Sequence, residues 1–119
     1  MVRKQIDRMV TSADEAAKVL SEIKKVDGVI PAYYSLSDLI HETWDDESTT
    51  IAGDKSIENV IDELKQRDVQ FLSLLFDFHG ATICASADLR TLPSDHITLT
   101  CDNAYKKVLS EFAEEFARI

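Results

Sequence analysis

The sequence predicts an α+β domain, in which helices pack on a five-stranded antiparallel sheet in the order α-β-β-α-β-β-β-α. Residues 69–102 contain three consecutive segments with the residue pattern of strands, separated by a tight turn and a short loop. Segments with apolar residues at the spacing of amphipathic helices precede and follow these strands. With 119 residues, 45% of them hydrophobic, the chain is long enough for a single domain, residues 1–119, with one core.

The three strands are marked by their turns and by alternation. His79-Gly80 separates two apolar runs and predicts a two-residue hairpin, since such a turn needs residues that tolerate positive φ. From Ala81 to Leu89 apolar and polar residues alternate, the period of a strand with one buried face. Pro93 to Asp95 end this strand, and a third follows from Ile97 to Asp102.

The first of the three strands, Val69 to Phe78, carries apolar residues on both parities. Such a strand is either central in its sheet or an edge strand that a partner completes. The sequence leaves both interpretations open.

Capping residues and apolar stripes predict three helices. Ser12 and Glu15 form a capping box at the start of the first, which Gly28 ends. A middle helix begins after Ser56 and ends near Asp68, and a last helix begins at residue 102 or 103. Residues 1–10 either extend the first helix backward or form a loose arm.

The segment between the first two helices allows two interpretations. The aromatic and β-branched residues of 29–44 favour a hairpin, with strands at 29–36 and 39–44 and a turn at Ser37-Asp38. The alternative makes residues 37–44 a short helix capped by Ser37. Asp45 to Gly53 then form a polar, acidic loop.

Charge and composition restrict the partners. A net charge of −9 disfavours nucleic acid and anionic membrane surfaces, because phosphate binding requires a basic patch. We find neither a transmembrane segment nor a signal peptide in the sequence and expect a cytoplasmic protein. Cys84 and Cys101 fall on opposite parities of neighbouring strands, so we predict free thiols.

No motif for catalysis, cofactor binding or metal binding stands in the sequence, and none of these is predicted. His79 lies near Asp77 and His96 beside Asp95, but such proximity is expected by chance among 22 acidic residues. The acidic run that begins at Asp45 lacks the spaced ligands and turn glycine of a calcium loop.

The order of elements resembles the Roadblock family, within the wider Roadblock/longin group. The first helix and hairpin correspond to AAKVLSEIKKVDGVIPAYYSLSDLIHETW, the middle helix to IENVIDELK, and the closing helix to NAYKKVLSEFAEEF. The family often has glycine at its first hairpin turn, where this chain has Ser37-Asp38. Profilin-like and sensor domains share a similar order and remain alternatives.

The resemblance implies a non-enzymatic, dimer-forming scaffold or regulator, with itself, a paralogue or a small Ras-like GTPase as partner. Roadblock-like domains typically pair through the middle helix and the strand after it, which joins two sheets. The interface residues expected on this basis are Ile57, Val60, Ile61, Leu64, Phe71, Ser73 and Leu75.

Residues near the acidic loop are further candidates for partner contact. Aromatic side chains are enriched at interface anchors, although they serve equally well in a core. These candidates are Tyr34, Trp44, Asp45, Asp46 and Glu47. An alternative function is a monomeric acidic binding module, of the inhibitor or immunity type, that masks a basic surface of its partner. A small-ligand sensor is a third hypothesis.

Overall fold

A computed structural model describes residues 1–37, 49–66 and 68–119, and they form an α+β fold as predicted. The strands are β1 (Val2–Val10), β2 (Val29–Ser37), β3 (Thr49–Ala52), β4 (Phe71–Phe78), β5 (Ala81–Asp88) and β6 (Ser94–Cys101). The helices are α1 (Ala13–Glu22), α2 (Ile57–Gln66) and α3 (Lys106–Ala117). Short 3₁₀ turns occupy Ile23–Lys25, Leu89–Thr91 and Asn103–Tyr105.

The described strands form one antiparallel sheet of six strands, in the order β1-β6-β5-β4-β2-β3. The predicted number of five strands is therefore wrong by one. Among residues 1–37, 49–66 and 68–119, no helix is long and apolar enough to cross a membrane.

The additional strand is β1, which pairs with β6. Residues 1–10 are thus neither an extension of α1 nor a loose arm. Ile6 and Val10 are buried in the core, whereas Lys4 and Arg8 share their parity. Because these two charged residues occupy core-side positions, the alternation of apolar and polar residues that marks a strand is interrupted in the sequence.

The first hairpin also differs from the prediction. β2 pairs with β3 at Thr49–Ala52, inside the segment that we had predicted as an acidic loop. The predicted second strand, residues 39–44, and its helical alternative lie outside the described residues. β3 has only four residues, too few for a period of two to be recognised in the sequence.

The predicted His79-Gly80 turn and the predicted caps at Ser12 and Asp102 are confirmed, whereas α1 ends at Glu22, before the predicted end at Gly28. His79 and Gly80 have φ values of 49° and 84°, as a two-residue hairpin between β4 and β5 requires. Ser12 Oγ accepts a hydrogen bond of 3.2 Å from the Glu15 amide at the start of α1. Asp102 caps the turn that leads into α3.

β4 is central in the sheet, with β5 on one side and β2 on the other. This position settles the ambiguity of its two apolar faces. Both backbone edges of β4 are already paired, so a second sheet cannot join at this strand.

All three helices contribute to one core on one face of the sheet, which we call the covered face. Phe112 of α3 lies 4.8 Å from Phe76 and 5.4 Å from Phe78, measured between ring centroids. α1 packs against β4 and β5, and α2 packs against α1 and buries Val60 in the same core.

Lys24 fixes the segment before α2 to the end of α1. Its Nζ donates hydrogen bonds to the carbonyl oxygens of Gly53 at 3.0 Å and Lys55 at 3.2 Å. It also lies 5.2 Å from the centroid of the buried Tyr34 ring. One ammonium group thereby links the 3₁₀ turn after α1, β2 and the approach to α2.

Candidate interaction surface

The sheet face opposite the helices, called here the open face, has no helix of the described chain packed on it. The strand registers align its residues in two rows that cross all six strands. One row contains Thr50, Ser35, Ser73, Ser86, Thr98 and Gln5. The other contains Ala52, Tyr33, Leu75, Cys84, Thr100 and Arg3.

The centre of the open face is almost free of charge. Of all residues in the two rows, only Arg3 is charged, and it lies on the edge strand β1. Charged residues make up 29% of the chain, so charge is concentrated elsewhere. Depletion of charge at the centre is a compositional property of protein–protein interfaces.

Apolar side chains are exposed at one side of the open face, on β2 and β4. Ile30 is 67% exposed and Tyr33 40% exposed. Leu75, opposite Tyr33, is half-buried, as is Phe71 at the end of β4. Aromatic and aliphatic side chains of this kind are the usual anchors of a protein contact.

An ion pair stands at the rim beside Phe71. Arg90 lies 4.5 Å above the Phe71 ring and donates two hydrogen bonds of 3.0 Å to the Asp88 carboxylate. The hydrogen bond from Arg90 lowers the pKa of Asp88. This ion pair places charge at one point of the rim, where protein interfaces are typically polar.

Cys84 lies near the middle of the open face. Burial raises the pKa of its thiol, although hydrogen bonds with Ser73 and Thr100 act in the opposite direction. The thiol is therefore neutral at pH 7 and a poor nucleophile. Cys101 is buried on the covered face, and both cysteines are free, as predicted.

The predicted interface is divided between the two faces. Val60 is fully buried in the core, and Ile57, Ile61 and Leu64 of α2 pack against the same core. By contrast, Phe71, Ser73 and Leu75 belong to the open face. The structure therefore does not bring these two groups together.

The predicted contact residue Tyr34 is fully buried, so it cannot contact a partner. Its neighbour Tyr33 is the exposed aromatic residue. The sequence contains a clue to this distinction, because Tyr34 shares its parity with Leu36, whereas Tyr33 shares its own with Ser35 and Ser37. Trp44, Asp45, Asp46 and Glu47 lie outside the described residues.

The two described histidines are separated. His96 Nδ1 lies 2.9 Å from Asp95 Oδ1 at the start of β6. His79 lies at the other end of the sheet, with its ring centroid 4.1 Å from that of Phe78. His41 is not among the described residues. Among residues 1–37, 49–66 and 68–119, no cluster of three or more metal-ligating side chains occurs.

A groove of about 310 Å³ lies beside His79, between the turn after α1 and the middle of α3. Its acidic lining consists of Asp27, Glu111, Glu114 and Glu115. Part of the negative charge of the chain therefore collects at one end of the sheet.

A scan of protein-family models, a search of curated proteins and a search of solved structures each find no match for this chain. The surfaces described above therefore carry the argument for function.

Proposed function

We propose that this chain is a non-enzymatic protein-interaction module, a dimer-forming scaffold or regulator whose open face binds a partner protein. The observation that carries the proposal is the uncharged centre of the open face, with the exposed Ile30 and Tyr33 at its side.

The size of the open face supports a contact with a folded protein. Five strands of eight or nine residues and the four-residue β3, about 4.8 Å apart with a rise of about 3.3 Å per residue, give a face of roughly 700 Å². Specific complexes bury about 600–1,000 Å² on each partner. The open face lies at the lower end of this range before any rim contact is added.

The composition of the open face indicates the chemistry of its partner. A charged surface would lose water against the hydroxyl and aliphatic side chains of the two rows without gaining ion pairs. We therefore propose a folded protein that offers an uncharged, aliphatic or aromatic surface. The resemblance to Roadblock domains makes a small Ras-like GTPase one candidate of this class.

Tyr33 and Tyr105 provide a matched test of the open face. They are 40% and 39% exposed, and Tyr105 lies outside the sheet, in the turn before α3. A photo-crosslinking amino acid at position 33 should give a discrete adduct in cells, whereas the same group at position 105 should not. Tyr33→Arg should then weaken binding of the purified partner by at least about tenfold, and Tyr105→Arg should not.

Two results would contradict the proposal. One is the same set of adducts from both positions, which would show no preference for the open face. The other is binding of the purified partner that Tyr33→Arg leaves unchanged. Failure of purified small Ras-like GTPases to bind in either nucleotide state would remove that candidate class alone.

A second candidate function is the monomeric acidic module that masks a basic surface. The acidic groove beside His79 favours it, because four carboxylates line one concave surface. Salt distinguishes the two candidates, since exposed charges are screened within about 10 Å at 0.1 M salt. Binding through the acidic groove should weaken strongly between 0.05 and about 0.5 M salt, and binding through the open face should change little.

A further inference from the structure

The outer edge of β1 is a second surface available for association. β1 has nine residues and is the outermost strand, paired only with β6 among the described elements. Its outward backbone groups can therefore pair with another strand. The opposite edge strand, β3, has only four residues and offers less backbone for such pairing.

The regular part of this edge runs from Val2 to Asp7, which pair one-to-one with Cys101 to His96. A bulge between Asp7 and Val10 then interrupts the register. An added strand would accordingly be centred within residues 2–7, near Gln5.

The charged residues of β1 differ in what they contact. Arg8 is held by its own domain, because Nη2 donates to the Phe116 carbonyl at 3.0 Å and the guanidinium lies 3.6 Å from Glu22. Arg3, Lys4 and Asp7 are exposed and have no side-chain partner in the described part of the chain. Their charges are thus available to a neighbouring strand.

We propose that a second copy of β1 pairs with this edge, antiparallel, about a two-fold axis at Gln5. In this register Arg3 of each copy lies opposite Asp7 of the other, and the two Gln5 side chains face each other. The two sheets would become continuous. This inference rests on the dimer-forming part of the proposed function and specifies the surface that forms the dimer.

Charge selects this register over its neighbours. A shift of two residues in one direction places Lys4 opposite Lys4, and a shift in the other places Asp7 opposite Gln5, which loses both Arg3–Asp7 pairs. Like charges directly opposite each other destabilise a strand pair, whereas opposite charges stabilise it. A shift of one residue would turn the side chains to the wrong faces.

Exposed apolar residues extend the same complementarity. Met1 is 84% exposed and Met9 65% exposed, and they flank the regular part of the edge, residues 2–7. Ile119, 48% exposed, lines a groove of about 360 Å³ between β1 and the end of α3. These three are half of the large hydrophobic side chains exposed in the described chain. Association at this edge would cover apolar surface as well as pair charges.

Charge reversals at positions 3 and 7 test the register. Arg3→Asp places Asp opposite Asp, and Asp7→Arg places Arg opposite Arg, twice in each dimer. Each variant alone should raise the dimer dissociation constant by at least about tenfold. An equimolar mixture of the two variants should form a heterodimer, because every opposed pair is then again of opposite charge. The double variant should form a homodimer for the same reason.

Light scattering over a dilution series, with native mass spectrometry to identify the heterodimer, measures these outcomes. Asp62→Arg and Lys65→Asp on the exposed side of α2 are matched controls and should keep the dimer mass, twice 13.4 kDa. Equal urea midpoints, measured at protein concentrations where wild type and variants are all monomeric, would show that the reversals leave the fold intact.

Three outcomes would overturn the assignment, and they can be distinguished. A wild-type dimer that neither reversal weakens keeps the proposed function but refutes β1 as the interface. Single variants that dissociate but do not associate on mixing refute the register. A wild-type mass of 13.4 kDa at all concentrations refutes dimerisation itself and leaves the edge to an extended segment of another protein.

Discussion

Replacing Phe112 or Phe71 by alanine tests which face of the sheet the helices cover. Phe112 is fully buried and contacts the rings of Phe76, Phe78 and Phe116. Truncation of a buried Phe costs about 3–5 kcal/mol, the lost transfer free energy plus the cavity left behind. A domain of this size has a free energy of unfolding of about 5–15 kcal/mol, so Phe112→Ala removes a large fraction of it.

Phe71 belongs to the open face, so its truncation to alanine should lower the free energy of unfolding much less. It is half-buried, so about 1 kcal/mol of transfer free energy is lost on truncation. Its contact with Arg90, 4.5 Å above the ring, adds about 0.5–1 kcal/mol at an exposed site. We therefore expect Phe71→Ala to cost about 1–2 kcal/mol.

Urea unfolding followed by far-UV circular dichroism measures both variants against wild type. The midpoint should fall two to three times further for Phe112→Ala than for Phe71→Ala, with equal slopes. If the two substitutions cost the same, the open face is covered in solution, and the proposed partner-binding surface is wrong.

Further predictions concern Lys24 and Cys84. Lys24→Met removes the hydrogen bonds to the Gly53 and Lys55 carbonyls and should cost about 1–2 kcal/mol in urea unfolding, whereas Lys25→Met should cost almost nothing; equal costs would contradict the linking role of Lys24. Burial raises the pKa of the Cys84 thiol above its ordinary value of 9.0, so iodoacetamide at pH 8 should modify it more slowly in the folded chain than in urea. Because the pKa of Cys84 is higher in the folded chain than in the unfolded chain, its contribution to the free energy of unfolding is present below pH 9.0 and is lost as the pH rises through the folded-state pKa. Cys84→Ala should therefore reduce the loss of stability at high pH. If the variant and wild type lose stability equally at high pH, this role of Cys84 is refuted.

Elements with strong local patterns could be predicted from the sequence. The alternation from Ala81 to Asp88, the His79-Gly80 turn and the Ser12 cap each involve neighbouring residues, and all three are confirmed. β1 could not be predicted in this way. Arg8 occupies a core-side position where its partners are the Phe116 carbonyl and the Glu22 carboxylate, both distant in sequence, and no local pattern contains them.

The sequence does not show that the predicted interface residues lie on two surfaces. Phe71, Ser73 and Leu75 lie on the open face, whereas the α2 stripe packs on the core. The sequence shows that a helix face is apolar without showing whether the covering surface is the same sheet or another molecule. Which surface covers the α2 stripe depends on the position of β4 in the sheet. β4 lies inside the sheet because it pairs with β2.

The pairing of β1 with β6 has a consequence for synthesis on the ribosome. The strands from β2 to β6 pair with strands less than half the chain away, whereas β1 pairs with a strand that is synthesised almost a whole chain later. At about 5–20 residues per second, that delay is on the order of 5–20 s. During this time Val2, Ile6 and Val10 have no sheet to join. We expect the three basic residues of β1 (Arg3, Lys4 and Arg8) to oppose aggregation of this unpaired segment. Two of them, Lys4 and Arg8, are the charges that obscure the strand pattern in the sequence.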